Sequence, residues 1–160
     1  MEGDRVLAVA AASGRVGYVF LVNGTLYSWQ LSRKAAQGPE DAARLTKSWI
    51  DRLHPTVVVT EKITKRCRKG KTVQALIEAI ARVAEHEPLF DVSVPRQCRY
   101  ANKYVEAEAL VDRFPELRPR LPKPRKLWDS EPRNTTIFEA LALALEVVDR
   151  EPDTGSQPKR

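Results

Sequence analysis

The chain has 160 residues and a net charge of +6, with a pI of about 9.5. Its length suits one domain with a sizeable core. Its charge suits polyanionic partners, although an ordinary basic protein would look the same. Cys67 and Cys98 are too few and too isolated for a disulfide scaffold or a zinc site, so a reducing, cytoplasmic setting is expected. The sequence opens on no signal-like pattern and holds no apolar run of membrane-spanning length.

Arg5 to Ala12 reads as a buried strand, followed by a turn at Ser13-Gly14-Arg15. Val16 to Val22 is a second strand, Asn23-Gly24 is a hairpin signal, and Thr25 to Leu31 alternates as a third strand. Pro39-Glu40 opens a helix carrying Ala43, Leu45, Trp49 and Ile50 and ending near His54-Pro55. Val57 to Glu61 is continuously apolar before its final residues, as expected of a strand covered on both faces. A basic segment follows, and then Val73, Leu76, Ile77, Ile80, Val83 and Ala84 recur at helical spacing, with Thr72 as a candidate cap. Phe90 to Val94 predicts a fifth strand. Asn102 to Phe114 predicts a helix with Val105, Ala109 and Leu110 on one face. The proline-rich stretch 115–132 predicts a loop, and 136–149 predicts a last helix capped by Asn134 or Thr135. Trp29, Trp49 and Trp128 are expected as core or loop anchors. Residues 1–150 then form one domain, and the polar, Pro/Gly-containing tail 151–160 is expected to be disordered.

This order, β-β-β-α-β-α-β-α-α, predicts an α/β fold. Its five-stranded mixed sheet has three antiparallel strands, then parallel ones, and helices flank it. Sites in such sheets collect at the carboxyl ends of parallel strands, where Glu61 falls.

Two carboxylates and a cluster of cations carry the chemistry. Glu139 interrupts the apolar run Ile137 to Leu145, where a carboxylate is costly unless it is paired, protonated or bound to a cation. It can also sit at an exposed helix edge, near the face of Thr135, Thr136 and Glu146. Glu61 can simply mark where the chain leaves the core. After it, residues 62–71 hold six cations, Lys62, Lys65, Arg66, Arg68, Lys69 and Lys71, with Gly70 for flexibility. Such a segment suits phosphate contacts, and it also suits a solvated loop. Carboxylates on a strand and a facing helix can converge on Mg²⁺ or Mn²⁺, which take oxygen ligands. Lys103 opens a helix between Tyr100 and Tyr104, which can stack on bases or serve as interior aromatics. No Gly-rich phosphate loop is present, which disfavours a nucleotide-binding α/β protein.

These residues resemble the RuvC-type Holliday junction resolvases of the RNase H-like superfamily, over roughly residues 5–148. Val6 to Ser13 with Gly17-Tyr18 looks like that family's opening strand, turn and second strand. Val57 to Glu61 looks like its strand ending in a catalytic Glu. Ala101-Asn102-Lys103-Tyr104-Val105 is similar to its Ala-x-Lys-x-x-Val helix start, one residue shorter, and Glu139-Ala140-Leu141-Ala142 resembles its closing Asp-Ala-Leu-Ala. The resemblance implies a homodimer and metal-dependent cleavage of branched DNA. Glu61 and Glu139 would be catalytic metal ligands. Lys62, Lys65, Arg66, Arg68, Lys69, Lys71 and Lys103 would meet nucleic acid.

The chain departs from the pattern in three places. The family's first-strand Asp falls on Ala10, the glycine near it on Ala12, and an acid or His before the closing Asp on Thr136. Asp129 and Glu131 are the acids available from the loop to compensate. Two readings stand: a Mg²⁺- or Mn²⁺-dependent endonuclease with an altered site, and a non-catalytic module binding DNA, RNA or protein on a degenerate resolvase fold.

Overall fold

The computed structural model describes residues 4–65, 67, 69–96, 100–122 and 134–149. The strands are β1 (Arg5–Ala12), β2 (Arg15–Val22), β3 (Thr25–Ser32), β4 (Val57–Glu61) and β5 (Phe90–Val94). The helices are α1 (Pro39–Leu53), α2 (Lys71–Glu85), α3 (Lys103–Arg113) and α4 (Thr135–Val148). One sheet runs in the order β3-β2-β1-β4-β5. The first three strands form an antiparallel meander, and β4 lies parallel to both β1 and β5.

Local chemistry explains the corners. Asn23 and Gly24 both have positive φ, 54° and 80°, as a two-residue turn between twisted strands requires. His54 ends α1 in the left-handed region, φ 53°, and its N–H donates to the Ile50 carbonyl at 2.9 Å. Asn102 caps α3, its Oδ1 accepting from the N–H of Tyr104 at 2.9 Å and of Val105 at 3.0 Å.

The alternation of the strands divides the core in two. Leu7, Val9, Ala11 and Val58 face α1 and α2, where Trp49, Ile50, Leu76 and Ile80 are buried. Val6, Ala8, Ala10 and Val59 face α3 and α4, where Ala107, Leu110, Phe138 and Leu141 are buried. The central strands are therefore apolar on both faces, as expected of β4.

Several expectations are corrected. Helix α3 buries Leu110 as expected, together with Ala107 and Val111, whereas Val105 is exposed and Ala109 half-buried, because the side carrying Ala107, Leu110 and Val111 is the one packed into the core with α4. Thr72 does not cap α2: the helix already begins at Lys71, Gly70 holds the cap position, and no side chain bonds there. Asn134 holds the cap position of α4 without a side-chain hydrogen bond. Short 3-10 helices form at Lys34–Gln37 and at Pro115–Arg120, the latter inside the stretch read as loop. Trp49 is buried and Trp29 packs at the edge of the core. Trp128, Cys98 and the tail 151–160 lie outside the described residues.

Candidate functional site

The parallel ladder sets the site. Ala8 pairs with Val59, so two residues further on Ala10 and Glu61 are neighbours on the face covered by α4. Ala10 is fully buried there, and a carboxylate at this position would stand beside Glu61. Glu139 reaches the same place from the second turn of α4. Gly17, opposite Ala10 on β2, lets α4 come close: a Cβ on it would lie 3.3 Å from both Leu31 Cδ1 and Thr136 Cγ2. Thr136 itself accepts from Arg15 Nε at 2.9 Å.

The group between the two carboxylates is the ammonium of Lys69. Its Nζ lies 2.7 Å from Glu61 Oε1 and 2.5 Å from Glu139 Oε2, and it donates to the Ala11 carbonyl at 2.8 Å. The side chains are nearly enclosed, 19% exposed for Lys69, 5% for Glu61 and 16% for Glu139. The Lys69 backbone is held in turn, its carbonyl accepting from Gln74 Nε2 at 2.7 Å. Burial lowers the pKa of Lys69, but the charges of Glu139 and Glu61 and their hydrogen bonds outweigh it, and the pKa ends above the ordinary lysine value. The Cys67 thiol lies 3.9 Å from Glu61 Oε2.

A second cation completes the cluster. Arg96 Nε lies 3.5 Å from Glu139 Oε2, and its fork engages Glu106 on α3 at 2.9 Å and 3.5 Å. Its pKa is also raised: burial lowers it, and the bond to Glu106 and the surrounding carboxylates more than offset that. Sequence reasoning passed over Arg96 and Glu106. The available signal was position, since Arg96 follows the carboxyl end of β5, a parallel strand.

Beside the cluster opens a cleft of about 380 Å³, lined among others by Ser13, Gly70, Arg96, Lys103 and Glu139. Lys103 is exposed at its rim and lies over the ring of Tyr104, 5.8 Å from the centroid. Lys62 and Lys65 are exposed on the segment after β4 and Lys71 is exposed at the start of α2, while Arg66 and Arg68 lie outside the described residues. Of the predicted site residues, the structure thus brings Glu61, Glu139 and Lys69 into contact and puts Lys103 on the adjoining cleft.

A bound Mg²⁺ or Mn²⁺ finds a poor site here. Mg²⁺ requires near-octahedral oxygens at roughly 2.0–2.1 Å. Among the described residues no three His, Cys, Asp or Glu side chains converge. The two carboxylates that do converge already share an ammonium, which would repel a second cation at the same point. Asp129 and Glu131 lie outside the described residues. The described residues do not fit the ion.

The arrangement of strands and helices is similar to several solved resolvases. Thermus thermophilus RuvC aligns at 16% identity over 88% of this chain and 91% of that one, with a TM-score of 0.60. The fowlpox virus resolvase, solved in complex with its substrate Holliday junction DNA, aligns at 14% identity over 93% of this chain and 99% of that one, with a TM-score of 0.64. The fold is RuvC-like, within the RNase H-like class. The yeast mitochondrial Holliday junction resolvase shares it at 11% identity, 92% and 78% coverage and a TM-score of 0.51. No protein-family model matches this chain, and no curated protein does.

Proposed function

We propose that this protein binds branched or structured nucleic acid, DNA first, in the cleft at the carboxyl ends of β1 and β4, and that it does so without cutting. The observation that carries the reading is Lys69 between Glu61 and Glu139, next to an alanine at position 10. The acids are neutralised from within the chain, and Lys103 lines the cleft. Lys62, Lys65 and Lys71 are exposed on the stretch from the end of β4 to the start of α2 that also supplies Lys69 and Gly70 to it, with Arg66 and Arg68 in the same stretch of sequence, so these cations would meet phosphates. Phosphate contacts of this kind release counterions and make affinity fall steeply with salt. Support also comes from the shared fold, since Thermus thermophilus RuvC and the fowlpox virus resolvase were each solved with Holliday junction DNA. A homodimer would present two such clefts to the symmetric arms of a junction.

The second reading is an endonuclease dependent on Mg²⁺ or Mn²⁺. One observation favours it: Glu61 and Glu139 are both present and aimed at one point. A single experiment separates the two. A labelled four-way junction and a linear duplex are incubated with the protein, with and without divalent metal, and run on native and denaturing gels. The proposal expects junction-selective, salt-sensitive shifts and intact strands. Metal-dependent nicking that disappears in Glu61→Gln would establish the second reading, and equal, weak binding to both substrates would remove both.

A further inference from the structure

We propose that Lys69 is the resident cation of this site, an ammonium built into the chain that holds Glu61 and Glu139 together where a divalent ion would otherwise be needed. An ammonium has three N–H donors and no acceptor. Lys69 has three acceptors around it, on Glu61, Glu139 and the Ala11 carbonyl. They come from β4, α4 and β1, so a single side chain ties the segment after β4 to the sheet and to the helix across it. Every donor is used inside the protein, and Lys69 has nothing left to offer a phosphate. Its tether also keeps the ammonium at a high effective concentration, which a free ion must overcome before it reaches the carboxylates. Arg96 adds a second positive charge at Glu139 and raises that barrier.

The cleft should therefore be assembled without metal, and removing Lys69 should create an appetite for metal that the natural chain lacks. The test is thermal unfolding of the wild-type protein and of Lys69→Met, each in EDTA and in millimolar Mn²⁺. The wild type is expected to move by less than about 1 °C, and Lys69→Met to unfold lower in EDTA and to regain roughly 3 °C or more with Mn²⁺. The inference is overturned if the wild type gains as much from Mn²⁺ as the variant does, or if the folded variant ignores Mn²⁺. Should Lys69→Met not fold, calorimetric titration of Mn²⁺ into the wild type decides alone: the inference expects no saturable binding below millimolar, and tighter binding sinks it.

A second arm rests on the nucleic-acid reading of the cleft: junction binding by the wild type should persist in EDTA and should not strengthen when Mg²⁺ is added, since Mg²⁺ acts on it only as a competing counterion. A binding that needs Mg²⁺ counts against Lys69 as the resident cation. Absence of any junction binding refutes the proposed function instead, and leaves the unfolding result to stand by itself.

Discussion

Two of the charge clusters among the described residues have opposite surroundings. At the cleft, Lys69 meets Glu61 and Glu139 at 2.7 and 2.5 Å with all three side chains largely enclosed. On the outside, Arg113 of α3 grips both oxygens of Asp149, just beyond α4, at 2.9 and 2.8 Å, with both side chains about half exposed. The contact distances are equally good. What differs is water. At the surface it solvates either partner when the other is removed and screens their attraction, so such a pair contributes little. In the cleft a removed partner leaves a charge that has already lost its hydration. Good geometry alone therefore says little about which cluster the fold depends on.

Substitutions can break or sharpen that contrast. The largest effect is expected for Lys69→Met, which leaves Glu61 and Glu139 facing each other. Removing one member of a buried pair costs roughly 3–5 kcal/mol. With Lys69 19% exposed, about 2–3 kcal/mol is expected. Urea unfolding at neutral pH measures it, and a loss under about 1 kcal/mol would erase the difference between the clusters. Glu61→Gln should cost less, about 1–2 kcal/mol, because the amide can still accept from Lys69 and Glu139 keeps its charge contact. Asn102→Ala removes two capping bonds at the start of α3 and should cost about 1 kcal/mol, lowering the order of Lys103 at the cleft rim. Hydrogen exchange at the first turn of α3 reports it directly, and unchanged protection there would mean that packing on α4, not the cap, holds the helix start. Arg113→Ala is expected to cost least, under about 1 kcal/mol, and its effect should shrink further in 1 M salt. If Arg113→Ala proved as damaging as Lys69→Met, burial would not be what separates the two sites.

The cleft was legible in part. Glu139 stood out because a carboxylate in the run Ile137 to Leu145 demands an explanation, and Glu61 because it closes an apolar strand. Both are at the site, held by the elements expected to hold them. Their partner was not legible as such. Six cations crowd residues 62–71, and nothing in their order singles out the one that turns inward. That choice needs Gly70 at the start of α2, Gln74 holding the Lys69 carbonyl, and a β1 carbonyl 58 residues away in sequence. Arg96 escaped notice because its partners, Glu106 and Glu139, lie on two different helices. The misplaced face of α3 has a simpler cause: eleven residues with scattered alanines and valines give a weak periodic signal, and contact with α4 decides which side is covered.

The sequence by itself determined the order of strands and helices, the hairpin at Asn23-Gly24, and the two-sided burial of β4. These follow from local propensity and from the repeat of apolar residues along one chain segment. It also determined that position 10 carries no acid. Only the tertiary structure decided that the two glutamates share a lysine, because an ion pair is a matter of distance between segments, and distance across a sheet is set by strand order and register rather than by any one stretch of residues.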